Sequence, residues 1–191
     1  MSHRIWLSGT EPGHCVLRAT RIKKVGRLYL GERVPDDFGQ PIRYQMSELF
    51  PDDFALSDNY EVAGQVIVSA RLRAVLAPLL ASQAMQYLPA RIIDHEGHVV
   101  AEDYAIVHPH TVMDAIDIEA SKVDWSELAE QEIDYCKGLV LKAMPAGVPP
   151  LFRLKYWGSV LVVSTELAHR LEAGAFVGLR FLEPKQYTGR N

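Results

Sequence analysis

One pattern occurs twice in the chain and constrains its fold more than any other feature. Gly64-Gln65-Val66-Ile67-Val68-Ser69-Ala70-Arg71-Leu72 and Gly158-Ser159-Val160-Leu161-Val162-Val163-Ser164-Thr165-Glu166-Leu167 share one order of residue types, with an extra valine in the second copy. Each runs from a glycine through a β-branched, apolar stretch to a serine and an amphipathic segment. Such stretches pack well on a buried pleated surface, so each predicts a core strand. Each serine predicts a helix start, because its oxygen can accept a hydrogen bond from a free N–H of the first turn. Leu72, Val75, Leu76, Leu79 and Leu80 then recur at the spacing of one helical face. Pro78 ends or kinks that helix, since it lacks an N–H and crowds the preceding turn. In the second copy Leu167 and Leu171 face inward, Glu166 precedes Arg170 by one helical turn, and Gly174 supplies a stop. Both helices lead to strand-like segments ending in proline, at 85–89 (with Ile92 and Ile93 beyond) and 177–184. Strand–helix–strand is thus used twice. Convergent core requirements also produce such an echo, and it does not amount to a repeat protein.

The remaining signals are mostly strands. Asp94-His95-Glu96-Gly97-His98 reads as a turn and 99–107 as an alternating strand. Short strands are expected at 115–118, 139–144 and 151–157, and earlier at 16–20 and 27–30. Residues 34–58 carry the loop formers Pro35, Gly39, Pro41 and Pro51. One further helix is predicted from Trp125 to about Tyr135, capped by Asp124 with Glu127 following as in a capping box. Mixed strands with few helices make an α+β fold, a mixed and mainly antiparallel sheet with two strand–helix–strand units. Residues 61–191 read as the α+β domain. Residues 1–60 read as an N-terminal strand-and-loop extension, either separate or supplying extra strands to the same domain. With 191 residues, 48% of them hydrophobic, the chain can bury a substantial core.

Charge is unevenly spread. Residues 94–134 hold twelve acids, Asp94, Glu96, Glu102, Asp103, Asp114, Asp117, Glu119, Asp124, Glu127, Glu130, Glu132 and Asp134, against the single base Lys122. The first 33 residues lean the other way, with Arg4, Arg18, Arg21, Lys23, Lys24, Arg27 and Arg33 against Glu11 and Glu32. The acidic run reads either as a solvated face, partly neutralised by the basic N-terminal strands, or as a surface that steers a basic partner. A net charge of −4 argues against a nucleic-acid binder. No apolar run reaches membrane-spanning length and no secretory pattern opens the chain, so a cytoplasmic protein is expected. There Cys15 and Cys136 read as free, buried thiols, a single long-range disulfide being the alternative.

Motifs for catalysis are missing. Neither a Gly-x-Ser-x-Gly nucleophile elbow nor a glycine-rich phosphate loop occurs, and nothing calls for a cofactor. His95, His98, His108 and His110, with Glu96 and Asp103 nearby, form the one cluster to weigh. His95 and His98 lack the spacing of two helical zinc ligands, and Pro109 points to a strand end between the other pair. A small metal-dependent hydrolase would need these imidazoles to converge; exposed turn and strand-end histidines are the plainer reading. Phe152, Tyr156 and Trp157, separated by Arg153 and Lys155, read as a strand with mixed faces. Phe152 belongs to its core side, and Trp157, before Gly158, stands at a turn where a tryptophan can anchor an interface.

Several pieces, in order, carry a resemblance. They are Val66-Ile67-Val68-Ser69 with the leucine-rich helix after it, Leu88-Pro89, and Asp114-Ala115-Ile116-Asp117-Ile118-Glu119-Ala120-Ser121. Leu151-Phe152-Arg153-Leu154 follows, then Val162-Val163-Ser164-Thr165-Glu166-Leu167 leading to Gly178 and Phe181. Over roughly residues 64–184 the chain resembles immunity protein family eleven, bacterial proteins encoded beside polymorphic toxins. The resemblance implies an α+β protein without catalytic residues that binds and neutralises a cognate toxin or effector. Asp117 and Ser121 match the family's pattern, Asp117 either as a binding residue or as a cap that braces a strand end. The candidate toxin-binding residues are Asp117, Glu119, Asp124, Glu127 and Glu130 from the acidic segment, with Trp125 and Trp157 as anchors. An adaptor that loads an effector for secretion is a further alternative, and oligomeric state stays open.

Overall fold

The computed structural model describes residues 2–19, 26–35, 37–38 and 41–189. Thr20, the bases Arg21, Lys23 and Lys24, and Gly39 lie outside them. In chain order the elements begin with β1 (His3–Ser8), β2 (Leu17–Ala19), α1 (Gly26–Tyr29), β3 (Ile42–Met46), β4 (Asn59–Val62) and β5 (Gln65–Val68). Next come α2 (Ala70–Leu79), β6 (Met85–Ile93), β7 (Val99–Pro109), β8 (Val112–Met113), α3 (Ile118–Ser121), β9 (Val123–Trp125) and β10 (Ile133–Cys136). The chain closes with β11 (Leu151–Leu154), β12 (Trp157–Ser164), α4 (Thr165–Glu172) and β13 (Leu179–Leu182). A six-stranded sheet has the order β2-β3-β6-β7-β5-β4, a five-stranded sheet the order β13-β1-β12-β11-β8, and β9 pairs with β10 alone. Among the described strands only the β3–β6 and β8–β11 pairings are parallel, with one parallel bridge between His14 and Ala55 besides, so the fold is α+β and mainly antiparallel.

Both echoed segments form the expected unit, down to the cap. Ser69 and Ser164 sit in extended backbone, and each side chain accepts from the N–H three residues on, Leu72 and Leu167, at 3.2 Å. The following strands return in the same way. β6 runs parallel to β5 with antiparallel β7 between them, and β13 runs parallel to β12 with antiparallel β1 between them. Each unit is therefore a strand–helix–strand crossover split by one inserted strand.

The two helices fill a common core. Val66 and Val68 of β5, Leu72 and Leu76 of α2, Leu161 and Val163 of β12, and Leu167 and Leu171 of α4 are buried together with Trp6. Each large side chain so buried contributes about 1.5–3 kcal/mol. Gly64 has φ +68°, and a Cβ there would lie 2.3 Å from the Ser159 Cβ, so the first copy's glycine is needed where it presses on the second copy. Asn59, fully buried in β4, ties the sheets together. Its Oδ1 accepts from Trp6 Nε1 at 2.9 Å, and its Nδ2 donates to the Leu7 and Gly178 carbonyls at 3.0 Å.

Several expectations need correction. Residues 27–30, expected as a strand, start within the short helix α1, and the expected loop 34–58 contains β3. β6 does not end at Pro89; β3 joins it only from Ala90 onward, so on that side the missing N–H costs no ladder bond. Residues 115–118 give a bridge at Ile116 and the start of α3, and 139–144 keep only Leu141 as that bridge's partner. The run 151–157 is split between β11 and β12, with Tyr156 at φ +67° in the turn. Val75 is exposed, so the helical face is narrower than five residues. The positive φ after α4 belongs to Ala175, not Gly174. The predicted helix at 125–135 is the β9–β10 hairpin. Cys15 and Cys136 are free and buried.

Candidate functional site

The β9–β10 hairpin carries much of the acidic segment into solvent. Ile133 and Cys136 anchor it, buried with Ile116, Leu139 and Tyr187, and the Ile133 N–H donates to the Tyr156 carbonyl at 2.8 Å. Between the strands, the Ser126 N–H donates to the Glu132 carbonyl at 2.8 Å and the Leu128 N–H to Ser126 Oγ at 3.3 Å, shaping an ordered tip. That tip presents Leu128 99% exposed and Trp125 45% exposed. The Trp125 ring meets Tyr156 edge-on, 5.7 Å between centroids, and Lys155 Nζ lies 4.7 Å from the Tyr156 ring centre.

A cleft of about 440 Å³ runs beside the hairpin. Glu130, Gln131 and Glu132 form one wall, and Lys155 and Tyr156 line it with Tyr29, Leu30, Val112, Leu154 and Gly158. Glu132 is near enough for its charge to act on the Tyr29 hydroxyl, whose pKa is raised mainly by burial. Asp124, Glu127, Glu130, Glu132 and Asp134 are all exposed, and among the described residues none of them is in an ion pair. The paired acids of the segment lie elsewhere: Glu102 with Arg91, Asp114 with Lys142 and Lys155, and Asp94 with His98. Three of the described N-terminal bases are engaged elsewhere. Arg4 pairs with Glu172 and Glu183, Arg18 with Glu48 and Arg27 with Glu32. Among the described residues, the hairpin is thus an acidic rim without ion-pair partners around exposed apolar side chains.

The candidate residues divide accordingly. Asp124, Trp125, Glu127 and Glu130 come together on the hairpin, and Glu119 is exposed on α3. Asp117 caps α3, its Oδ1 accepting from the Ala120 N–H at 3.0 Å. Ser121 is buried, its Oγ accepting from the Val140 N–H at 2.9 Å and donating to the Val140 carbonyl at 3.3 Å. The motif containing both residues is therefore engaged in holding the chain to residue 140. Trp157 does not stand at an exposed turn: it is 5% exposed and packs on Tyr187, 5.2 Å between ring centroids. Leu128 joins the surface without having been singled out, and Tyr156, read from the sequence as part of a mixed-face strand, joins it too. The sign was available for Leu128, an apolar residue in an acidic run, but a helix there would have turned it elsewhere.

The histidines do not converge. His95 and His98 occupy the β6–β7 turn, His108 and His110 the far end of β7, roughly 30 Å away along the strand. His95 Nε2 meets the Ser47 carbonyl at 3.1 Å, and His98 lies beside Asp94 and Glu96. His108 is buried, its Nε2 donating to the Glu32 carbonyl at 2.8 Å, and burial lowers its pKa to about 4. Its ring meets His110 at 5.1 Å. A hydrolytic site built from all four is ruled out by this separation.

Among protein families, the profile described as Immunity protein family (Imm11) matches residues 4–186. The match begins in β1, sixty residues before the segment that carries the resemblance in the sequence. A search of curated proteins finds no match.

Proposed function

The chain belongs to the Imm11 immunity protein family, and on that premise we propose that it protects by binding a cognate toxin and covering a surface the toxin needs. The observation that carries this reading is the family match along nearly the whole chain. The protein performs no chemistry and takes no cofactor in this account. The hairpin face is the docking surface, with Trp125 and Leu128 as apolar anchors and Asp124, Glu127 and Glu130 as the charged rim, while Glu119 stands on the neighbouring α3. Anchors that lose water on contact supply most of the affinity, and the rim charges select the partner and speed its approach. The partner surface is therefore basic, with an apolar pocket for the anchors. A specific complex needs about 800 Å² buried on each side, and surface flanking the hairpin takes part. The complex forms in the cytoplasm, where Cys15 and Cys136 stay reduced.

Co-expression with the toxic domain encoded by the neighbouring gene tests the reading. The expected result is a complex that survives purification and cells that grow. Absence of both the complex and the growth would falsify it.

A further inference from the structure

A second polar feature lies inside the protein, away from the hairpin tip. Arg153 projects from β11 between the two sheets and is 0% exposed. Its Nη1 donates to the Gly158 carbonyl at 2.6 Å, but among the described residues Nε and Nη2 have no partner. Gln65, also 0% exposed, accepts from the Tyr44 hydroxyl through Oε1, with its amide N–H side toward the Tyr29 hydroxyl. The Tyr29 hydroxyl neighbours both side chains and donates to the Ala63 carbonyl at 2.5 Å. Among the described residues no carboxylate acts on Arg153, and burial holds His108 nearby neutral at pH 7, so within them the cluster carries one positive charge without a counter-charge.

A buried charge without a counter-charge is costly, and so is each unmade hydrogen bond beside it. The pair left free on Arg153 is the side edge of the guanidinium, two parallel N–H groups whose spacing matches the two oxygens of a carboxylate or phosphate. We infer that this inter-sheet interior binds one small oxyanion on the Nε–Nη2 edge of Arg153. The anion enters as the sheets close and becomes part of the folded protein. This site is independent of toxin binding.

Thermal unfolding of the purified full chain at pH 7 tests it, with sodium formate or sodium phosphate titrated at constant ionic strength against sodium chloride. The midpoint should rise saturably, by about 5–10 °C at a hundred times the dissociation constant, and Arg153→Met should abolish the rise. A response to phosphate alone identifies a tetrahedral ligand, and a response to formate a planar carboxylate. Equal effects of all three salts, or an undiminished rise in Arg153→Met, overturn the inference. Should that variant not fold, crystals of the unaltered protein grown with selenate decide. An anomalous peak within hydrogen-bond reach of Nε and Nη2 supports the site, and water alone at that edge refutes it.

Discussion

Replacing Asn59 by alanine removes the polar joint between the sheets. Three hydrogen bonds are lost, from Trp6 Nε1 and to the carbonyls of Leu7 and Gly178. Of the groups left behind, the Gly178 carbonyl keeps the Gly9 N–H at 2.9 Å, while Trp6 Nε1 loses its partner in a position 1% exposed. At about 1 kcal/mol for each bond, the loss is about 3 kcal/mol, a large share of the roughly 5–15 kcal/mol that stabilises a domain. Urea unfolding reads this directly. With a slope of about 2 kcal/mol per molar, the midpoint should fall by about 1.5 M with the slope unchanged. A cycle with Trp6→Phe should return a coupling of about 1 kcal/mol, because that change already removes the donor. A midpoint shift below about 0.3 M would mean that apolar packing alone joins the sheets, and the reasoning would fail.

Three other outcomes are expected. Ser164→Ala should destabilise by about 1 kcal/mol in the same assay, and Ser69→Ala by more, since Ser69 Oγ, besides the same cap, donates to Asp58 Oδ1 at 2.7 Å. His108 is held neutral by burial, its pKa lowered from 6.5 to about 4. Between those values the unfolded chain binds a proton that the folded one does not, so stability present above pH 6.5 is lost as pH falls toward 4, by roughly 3 kcal/mol. His108→Gln should flatten that part of the stability–pH profile. Finally, Glu127→Lys with Glu130→Lys should slow association with the toxin and reduce its salt dependence, whereas Trp125→Ala with Leu128→Ala should speed dissociation at least tenfold; stopped-flow mixing separates the two.

Local chemistry was legible in the sequence, and long-range pairing was not. The Ser69 and Ser164 units could be read because cap, strand and helix face lie within a few residues of one another. The same local logic misread residues 125–135. Asp124 and Glu127 mimic a capping box, but a helix would have had to bury Leu128, and the segment instead takes its pairing from a distance, with the Ile133 N–H bonded to Tyr156 and the Cys136 N–H to Thr188. β1 gave little warning of its place, because its neighbours β12 and β13 lie at the other end of the chain. Arg153 reads as the polar side of a strand, and only the second sheet turns that side into interior. The acidic surface was legible as charge. Its shape, a hairpin beside a cleft with Leu128 at the tip, depended on those distant contacts.

Protection by binding has a fixed stoichiometry, which a titration can read. The purified chain is titrated into a fixed, known concentration of the active toxic domain, well above the dissociation constant, and residual toxin activity is measured after mixing. Binding predicts a linear fall that reaches zero at one equivalent and does not change with longer incubation. Loss of activity that continues with time at a small fraction of an equivalent would reveal catalytic modification of the toxin and contradict the claim.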